Sequence, residues 1–161
     1  MGVSGSGKST VALQLHERLG WPFQEGDDLH PPENVAKMSA SIPLTDEDRK
    51  PWLARCARWV RQHQEADGGG ILTCSALKRA YRNQLVDHMP GVFFLYLKVP
   101  EAVLRARMAH RKGHYMPAGL LPSQLQTLEE PADDEPVIRV QVADTADATV
   151  EAALSALRAS G

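Results

Sequence analysis

Eight residues near the start of the chain, Gly2-Val3-Ser4-Gly5-Ser6-Gly7-Lys8-Ser9, restrict its fold more than any other segment. They satisfy the spacing G-x-x-x-x-G-K-[ST]. Glycines in such a run let successive backbone N–H groups turn toward one anion. A helix opening at the end of the run adds its positive N-terminal end. Val11, Ala12, Leu15 and Leu19 follow at helical spacing, and Gly20 is a stop signal. A Gly/Ser-rich terminus without that periodicity would be a floppy tail. With it, the segment reads as a phosphate-binding loop. Gly2, Val3, Ser4, Gly5, Ser6, Gly7, Lys8, Ser9 and Thr10 are accordingly the expected ATP-binding residues. Lys8 reaches the β- and γ-phosphates, and the Ser9 hydroxyl ligates Mg²⁺. Neither Asn34 nor Asn83 opens an Asn-Lys-x-Asp motif, so ATP is expected rather than GTP.

The remaining pattern alternates short apolar strands with helices. Strands are expected at 22–26, 71–75, 92–99 and 137–142. Thr45-Asp46-Glu47-Asp48 has the form of a capping box. It opens a long helix on which Trp52, Cys56, Trp59 and Val60 form a buried stripe. Further helices are expected at about 77–88, 101–112, 122–128 and from Val150 onward. The acidic, proline-bounded stretch from Glu129 to Pro136 reads as a solvated loop. This alternation predicts an α/β fold of three layers, α/β/α, around a parallel sheet. One element is missing from the pattern. A phosphate loop joins a strand to a helix, yet only Met1 precedes Gly2, so the first core strand is not encoded. The expectation is that the natural chain extends upstream and that Met1 is an internal methionine.

A chain of 161 residues with 43% apolar content suits one domain with a real core. The net charge of −2 disfavours a nucleic-acid binder. No secretory leader opens the chain, and the longest strongly apolar run, Val92 to Leu97, is too short to span a bilayer. Cys56 and Cys74 read as reduced core thiols. The expected setting is cytoplasmic.

Several charged residues fall where strands end. In a doubly wound sheet the carboxyl ends of the strands face the ligand crevice. Glu25-Gly26-Asp27-Asp28 lies at such an end, either as a carboxylate site for a hydroxyl or Mg²⁺, or as a plain surface turn. Arg49 shares a helical face with Trp52, Leu53 and Cys56, so it points inward, either to an anion or to an ordinary salt bridge. Lys78, Arg79 and Arg82 follow the expected strand at 71–75. Arg107, Arg111 and His114 share one face at i, i+4, i+7, a basic face around Gly113 that suits a lid over phosphates. His110 and His114 lack a third ligand for a metal.

These residues lie within longer blocks that resemble the gluconokinases, a family of P-loop small-metabolite kinases. The blocks are Gly2–Ser9, Glu25-Gly26-Asp27-x-Leu29-His30-Pro31, Lys37-Met38, and Ile42-Pro43-Leu44-x-Asp46-x-Asp48-Arg49-x-Pro51-Trp52-Leu53. Cys74-Ser75-Ala76-Leu77-Lys78-Arg79-x-Tyr81-Arg82, Arg111-Lys112-Gly113-His114-Tyr115-Met116 and Gln124-x-x-Thr127-Leu128-Glu129-x-Pro131 continue the match. The resemblance runs through nearly the whole chain. It implies a single kinase domain over 1–161, with a five-stranded core sheet, a substrate-binding helical region at about 28–66 and a lid at about 110–120. It also implies transfer of a phosphoryl group from ATP to the 6-hydroxyl of D-gluconate, and a homodimer. On this resemblance Lys8, Asp27 and Arg111 are catalytic, with Asp27 orienting or deprotonating the attacking hydroxyl. Asp27, His30, Arg49, Lys78, Arg79 and Arg82 bind the sugar acid. Arg107, Arg111 and Lys112 join the ATP site, and Glu25, where many relatives carry Asp, reaches the metal through water. Two other readings stand beside this one. One is a kinase of the same fold for shikimate or a nucleoside monophosphate; the other is a nucleotide-binding module without transferase activity.

Overall fold

The computed structural model describes residues 1–66, 68–110 and 120–160. In chain order the elements are α1 (Lys8–Leu19), β1 (Phe23–Glu25), a 3₁₀ turn (Gly26–Leu29), α2 (Pro32–Ser39), α3 (Asp46–Glu65), β2 (Ile71–Thr73) and α4 (Arg79–Val86). They continue with β3 (Phe94–Lys98), α5 (Glu101–His110), α6 (Leu121–Thr127), β4 (Val137–Gln141) and α7 (Ala146–Ser160). The capping box forms as expected. Thr45 Oγ1 accepts from the Asp48 N–H at 3.1 Å, and Asp48 Oδ2 accepts from the Thr45 N–H at 2.9 Å. The acidic first turn of α3 further matches its positive end.

The strands pair in parallel, β1 with β2 and β3 with β4, in register Phe23–Ile71 and Phe94–Val137 at their starts. Helices cover both faces. On one, Trp52, Leu53 and Cys56 of α3 pack with Tyr81 and Leu85 of α4 and with Cys74 and Tyr96. On the other, Val11 and Leu15 of α1 meet Val150, Ala153 and Leu154 of α7 over Leu97 and Val140. This is the three-layer α/β/α arrangement read from the alternation of elements. Both cysteines are free and buried.

The five-stranded sheet implied by the resemblance is not what the described residues form. They contribute four strands in two pairs. Met1 alone stands between β2 and β3: its amino group donates to Leu95 O, its carbonyl accepts from the Leu97 N–H at 3.1 Å, and the Gly2 N–H reaches Ser75 O at 3.3 Å. One residue cannot pair along both strand edges. A cavity of about 490 Å³, lined by Met1, Leu72, Leu85, Leu95 and Leu97 among others, separates the two pairs.

Candidate active site

The phosphate loop occupies residues 2–7 and feeds directly into α1. Gly7 caps that helix in the left-handed region at φ 92°, where a side chain would be strained. Lys8 Nζ donates to the carbonyls of Gly2 and Val3 at 2.9 and 3.0 Å, so its stem folds back across the loop. The loop is braced from outside. Gln124 of α6 accepts from the Ser4 N–H at 2.8 Å and donates to Ser4 Oγ at 3.1 Å. Arg107 of α5 donates to Gly5 O at 3.1 Å. Inside the loop, Ser6 Oγ is buried with no protein partner. A buried hydroxyl left without a partner is costly. It suits a phosphate oxygen of a nucleotide.

Ser9 Oγ donates to Glu25 Oε2 at 2.6 Å, and Thr73 Oγ1 donates to the other carboxylate oxygen. This joins the start of α1 to the ends of β1 and β2 in an all-oxygen cluster. Oxygen donors of this kind are what Mg²⁺ takes, usually with several waters retained. Ser9 and Glu25 therefore fit the metal expected from sequence.

Asp27 sits in the 3₁₀ turn that follows β1, and the close packing of that turn requires glycine before it. A Cβ on Gly26 would lie 1.8 Å from Thr73 O. The Gly26 N–H donates to Thr73 Oγ1 at 3.0 Å, and Gly26 O accepts from Trp52 Nε1 at 2.8 Å. The turn is thereby fixed to β2 on one side and to α3 on the other. Beneath the turn, a hydrogen bond between the buried thiols of Cys56 and Cys74 raises the first and lowers the second, with the charge of the nearby Asp27 a smaller effect on both. Thr73 and Gln124 carry much of this geometry, yet sequence reading gave neither a role.

The other residues expected to bind the sugar acid divide into two groups. His30, Arg49 and Lys78 form the first. His30 stacks on Trp52 with ring centroids 4.2 Å apart, and burial followed by the nearby Arg49 charge lowers it to about 4. The Arg49 guanidinium lies 5.4 Å from the Tyr81 ring centroid, and its Nε is buried without a partner. Lys78 Nζ lies 5.6 Å from the same ring and pairs with Asp46 at 3.0 Å. Tyr81 also donates to Asp46.

Arg79 and Arg82 form the second group and are turned elsewhere. Arg79 pairs with Asp134 at 2.6 Å on the exposed surface. The Arg82 side chain is 1% exposed. Its Nε and Nη2 hold Glu135 at 2.6 and 3.0 Å, and its Nη1 donates to the carbonyls of Ala76 and Leu77. Every donor nitrogen of Arg82 is engaged within the protein, so it ties loops together instead of meeting a sugar acid. Within the loop from Glu129 to Pro136, which is mostly exposed as expected, these contacts anchor particular residues. Glu135 is buried against Arg82, Asp134 meets Arg79, and Glu129 accepts from the Arg79 N–H at 2.9 Å.

Arg107 lines a second cavity of about 530 Å³ with Gly5, Gly7, Thr10, Ala143 and Thr149. This cavity opens beside the phosphate loop, between α5 and the start of α7, where the rest of a nucleotide would continue. Arg111, Lys112 and the expected lid around Gly113 lie outside the described residues. No helix among the described residues is long and apolar enough to cross a membrane.

Comparison with known proteins agrees with this geometry. A protein-family profile described as an AAA domain matches residues 1–131. The chain is 56% identical over 151 residues to a gluconokinase of Gluconobacter oxydans (strain 621H), covering 94% of this chain and 85% of that protein. Among solved structures, a gluconokinase from Sinorhizobium meliloti 1021 superposes with a TM-score of 0.87 at 48% identity, covering 99% of this chain and 89% of the other. An unliganded sugar kinase from Janibacter sp. HTCC2649 gives a TM-score of 0.91 at 47% identity, covering 98% and 91%. With the phosphate loop, the Ser9–Glu25 pair and the blocks around Asp27 and Lys78 in place, this chain belongs to the gluconokinase family of P-loop kinases.

Proposed function

We propose that this chain transfers the γ-phosphoryl group of ATP to the 6-hydroxyl of D-gluconate, giving 6-phospho-D-gluconate. The observation that carries the reading is the convergence of three features at one end of the sheet. These are the phosphate loop, the Ser9–Glu25–Thr73 oxygen cluster and the turn bearing Asp27. A pure nucleotide-binding module needs only the first. A second-substrate face, made by His30, Arg49 and Lys78, matches a polyhydroxylated anion.

Phosphoryl transfer needs positioning and charge neutralisation more than covalent chemistry. Lys8 and the loop amides hold the β- and γ-phosphates. Ser9 and Glu25 are the residues that would hold Mg²⁺, which would supply charge neutralisation to the transferring phosphate. Asp27 accepts a hydrogen bond from the attacking hydroxyl and orients or deprotonates it. Arg107 packs on the adenine, and Arg111 and Lys112 close over the phosphates. Closure excludes water and limits wasteful hydrolysis. The enzyme works in the cytoplasm as a homodimer.

The test is ATP consumption with gluconate, shikimate and nucleoside monophosphates offered in turn. Stimulation by gluconate alone is expected. Stimulation by another acceptor would replace the substrate, and no stimulation by any would favour a non-catalytic nucleotide binder.

A further inference from the structure

Asn34, on α2, is 3% exposed and is absent from the roles assigned above. Its Nδ2 lies 2.8 Å from Asp48 O and 3.2 Å from His30 Nδ1. The first contact fixes the orientation of the amide. A backbone carbonyl only accepts, so the Asn34 atom facing it must be the nitrogen and not the oxygen. The same nitrogen then offers its second proton to His30. An amide nitrogen cannot accept, so His30 Nδ1 must carry a lone pair, and the single proton of the neutral ring sits on Nε2.

The ring plane is fixed as well. His30 stacks on Trp52 at an interplanar angle of 16°, and Trp52 is held by its bond to Gly26 O. The His30 backbone N–H also donates to Asp27 O at 3.2 Å, which ties the residue to the turn bearing Asp27. Burial and Arg49 keep the imidazole uncharged near neutral pH.

We infer that Asn34 is a positioning residue that locks His30 as a neutral Nε2–H donor. In that state His30 gives a hydrogen bond to an oxygen of the bound sugar acid and cannot act as a base. Beside Arg49 and Lys78 it completes a face that presents donors, which leaves acceptance of the hydroxyl proton to Asp27. This role rests on the gluconate reading above, whereas the tautomer itself does not.

Long-range ¹H–¹⁵N correlation of the histidine rings, with His30 assigned by substitution, reads the tautomer in the wild-type protein. The expected result between pH 6 and 8, a window about two units or more above the His30 pKa, is a protonated Nε2 and an unprotonated Nδ1. The opposite tautomer, or an imidazolium, would overturn the inference. In Asn34→Leu the ring should populate both tautomers. KM for gluconate should rise about tenfold, as for one lost hydrogen bond, with kcat and the KM for ATP little changed. A changed tautomer with an unchanged KM would remove the positioning role while leaving wild-type turnover of gluconate, and so the proposed function, standing. Should wild type keep the tautomer yet not turn over gluconate, both the proposed function and the substrate role of His30 fall. If Asn34→Leu does not fold, His30→Gln and His30→Phe decide the matter. The amide keeps an N–H donor and should hold KM closer to wild type than the phenyl does; equal losses would refute the donor role.

Discussion

The buried pair Arg82–Glu135 offers the sharpest perturbation of the fold. Its side chains are 1% and 3% exposed, and they join α4 to the segment before β4 across 53 residues. Removing either partner leaves an uncompensated buried charge, which costs about 3–5 kcal/mol. Unfolding entropy runs at about 2.1 cal/mol/K per residue, so a chain of 161 residues gains about 0.3 kcal/mol/K on unfolding. Arg82→Leu or Glu135→Leu should therefore lower Tm by about 9–15 °C. Replacing both residues by Leu removes both charges together, and such swaps are often neutral. Here, however, Arg82 Nη1 also satisfies the carbonyls of Ala76 and Leu77. The double variant should keep a residual loss of about 1–3 kcal/mol for those orphaned acceptors. The measurement is urea unfolding followed by tryptophan fluorescence, analysed as a double-mutant cycle. Losses below about 1 kcal/mol in the single variants, or additive losses in the double, would refute the claim that this pair is desolvated and coupled.

The remaining expectations concern the site and its supports. Asp27→Asn should abolish most transfer yet retain nucleotide binding by calorimetry; a fully active variant would remove Asp27 from the mechanism. Arg111→Ala should lower turnover by about 10³–10⁵ with far less effect on ATP affinity, and unchanged turnover would sink the lid role. Gly26→Ala should destabilise strongly, because its Cβ would meet Thr73 O at 1.8 Å; a wild-type melting curve would contradict that contact. Glu135 is held below its ordinary value of 4.5 first by its bond to Arg82. A carboxylate with a depressed folded pKa stabilises fully above its unfolded pKa, and that contribution is lost as pH falls through the folded value. Stability should thus decline below about pH 4.5, with a weaker decline in the double Leu variant; identical acid profiles would exclude Glu135 as a source.

Features encoded in contiguous residues were legible in the sequence. The phosphate loop, the capping box at Thr45 and Asp48, and the α3 stripe, buried at Trp52 and Cys56 and half-buried at Trp59 and Val60, each repeat a local physical pattern. The three-layer architecture followed from the alternation of elements. Contacts between distant residues were not legible. Gln124 braces Ser4 across 120 residues, and Arg82 meets Glu135 across 53. No periodicity marks such partners, because they are chosen by the packing of separate elements. Arg82 looked like a ligand-binding cation for the same reason: its local block offered three cations, and only the fold shows which one is buried with every donor engaged. The role of Asn34 was hidden likewise, since it depends on a carbonyl 14 residues away.

The central claim is transfer from ATP to one hydroxyl of gluconate, and ³¹P NMR of the reaction mixture tests it most directly. The account predicts loss of the γ-phosphate signal and growth of one phosphomonoester coupled to the two protons on carbon 6. Release of inorganic phosphate alone, or a monoester on another carbon, would contradict it.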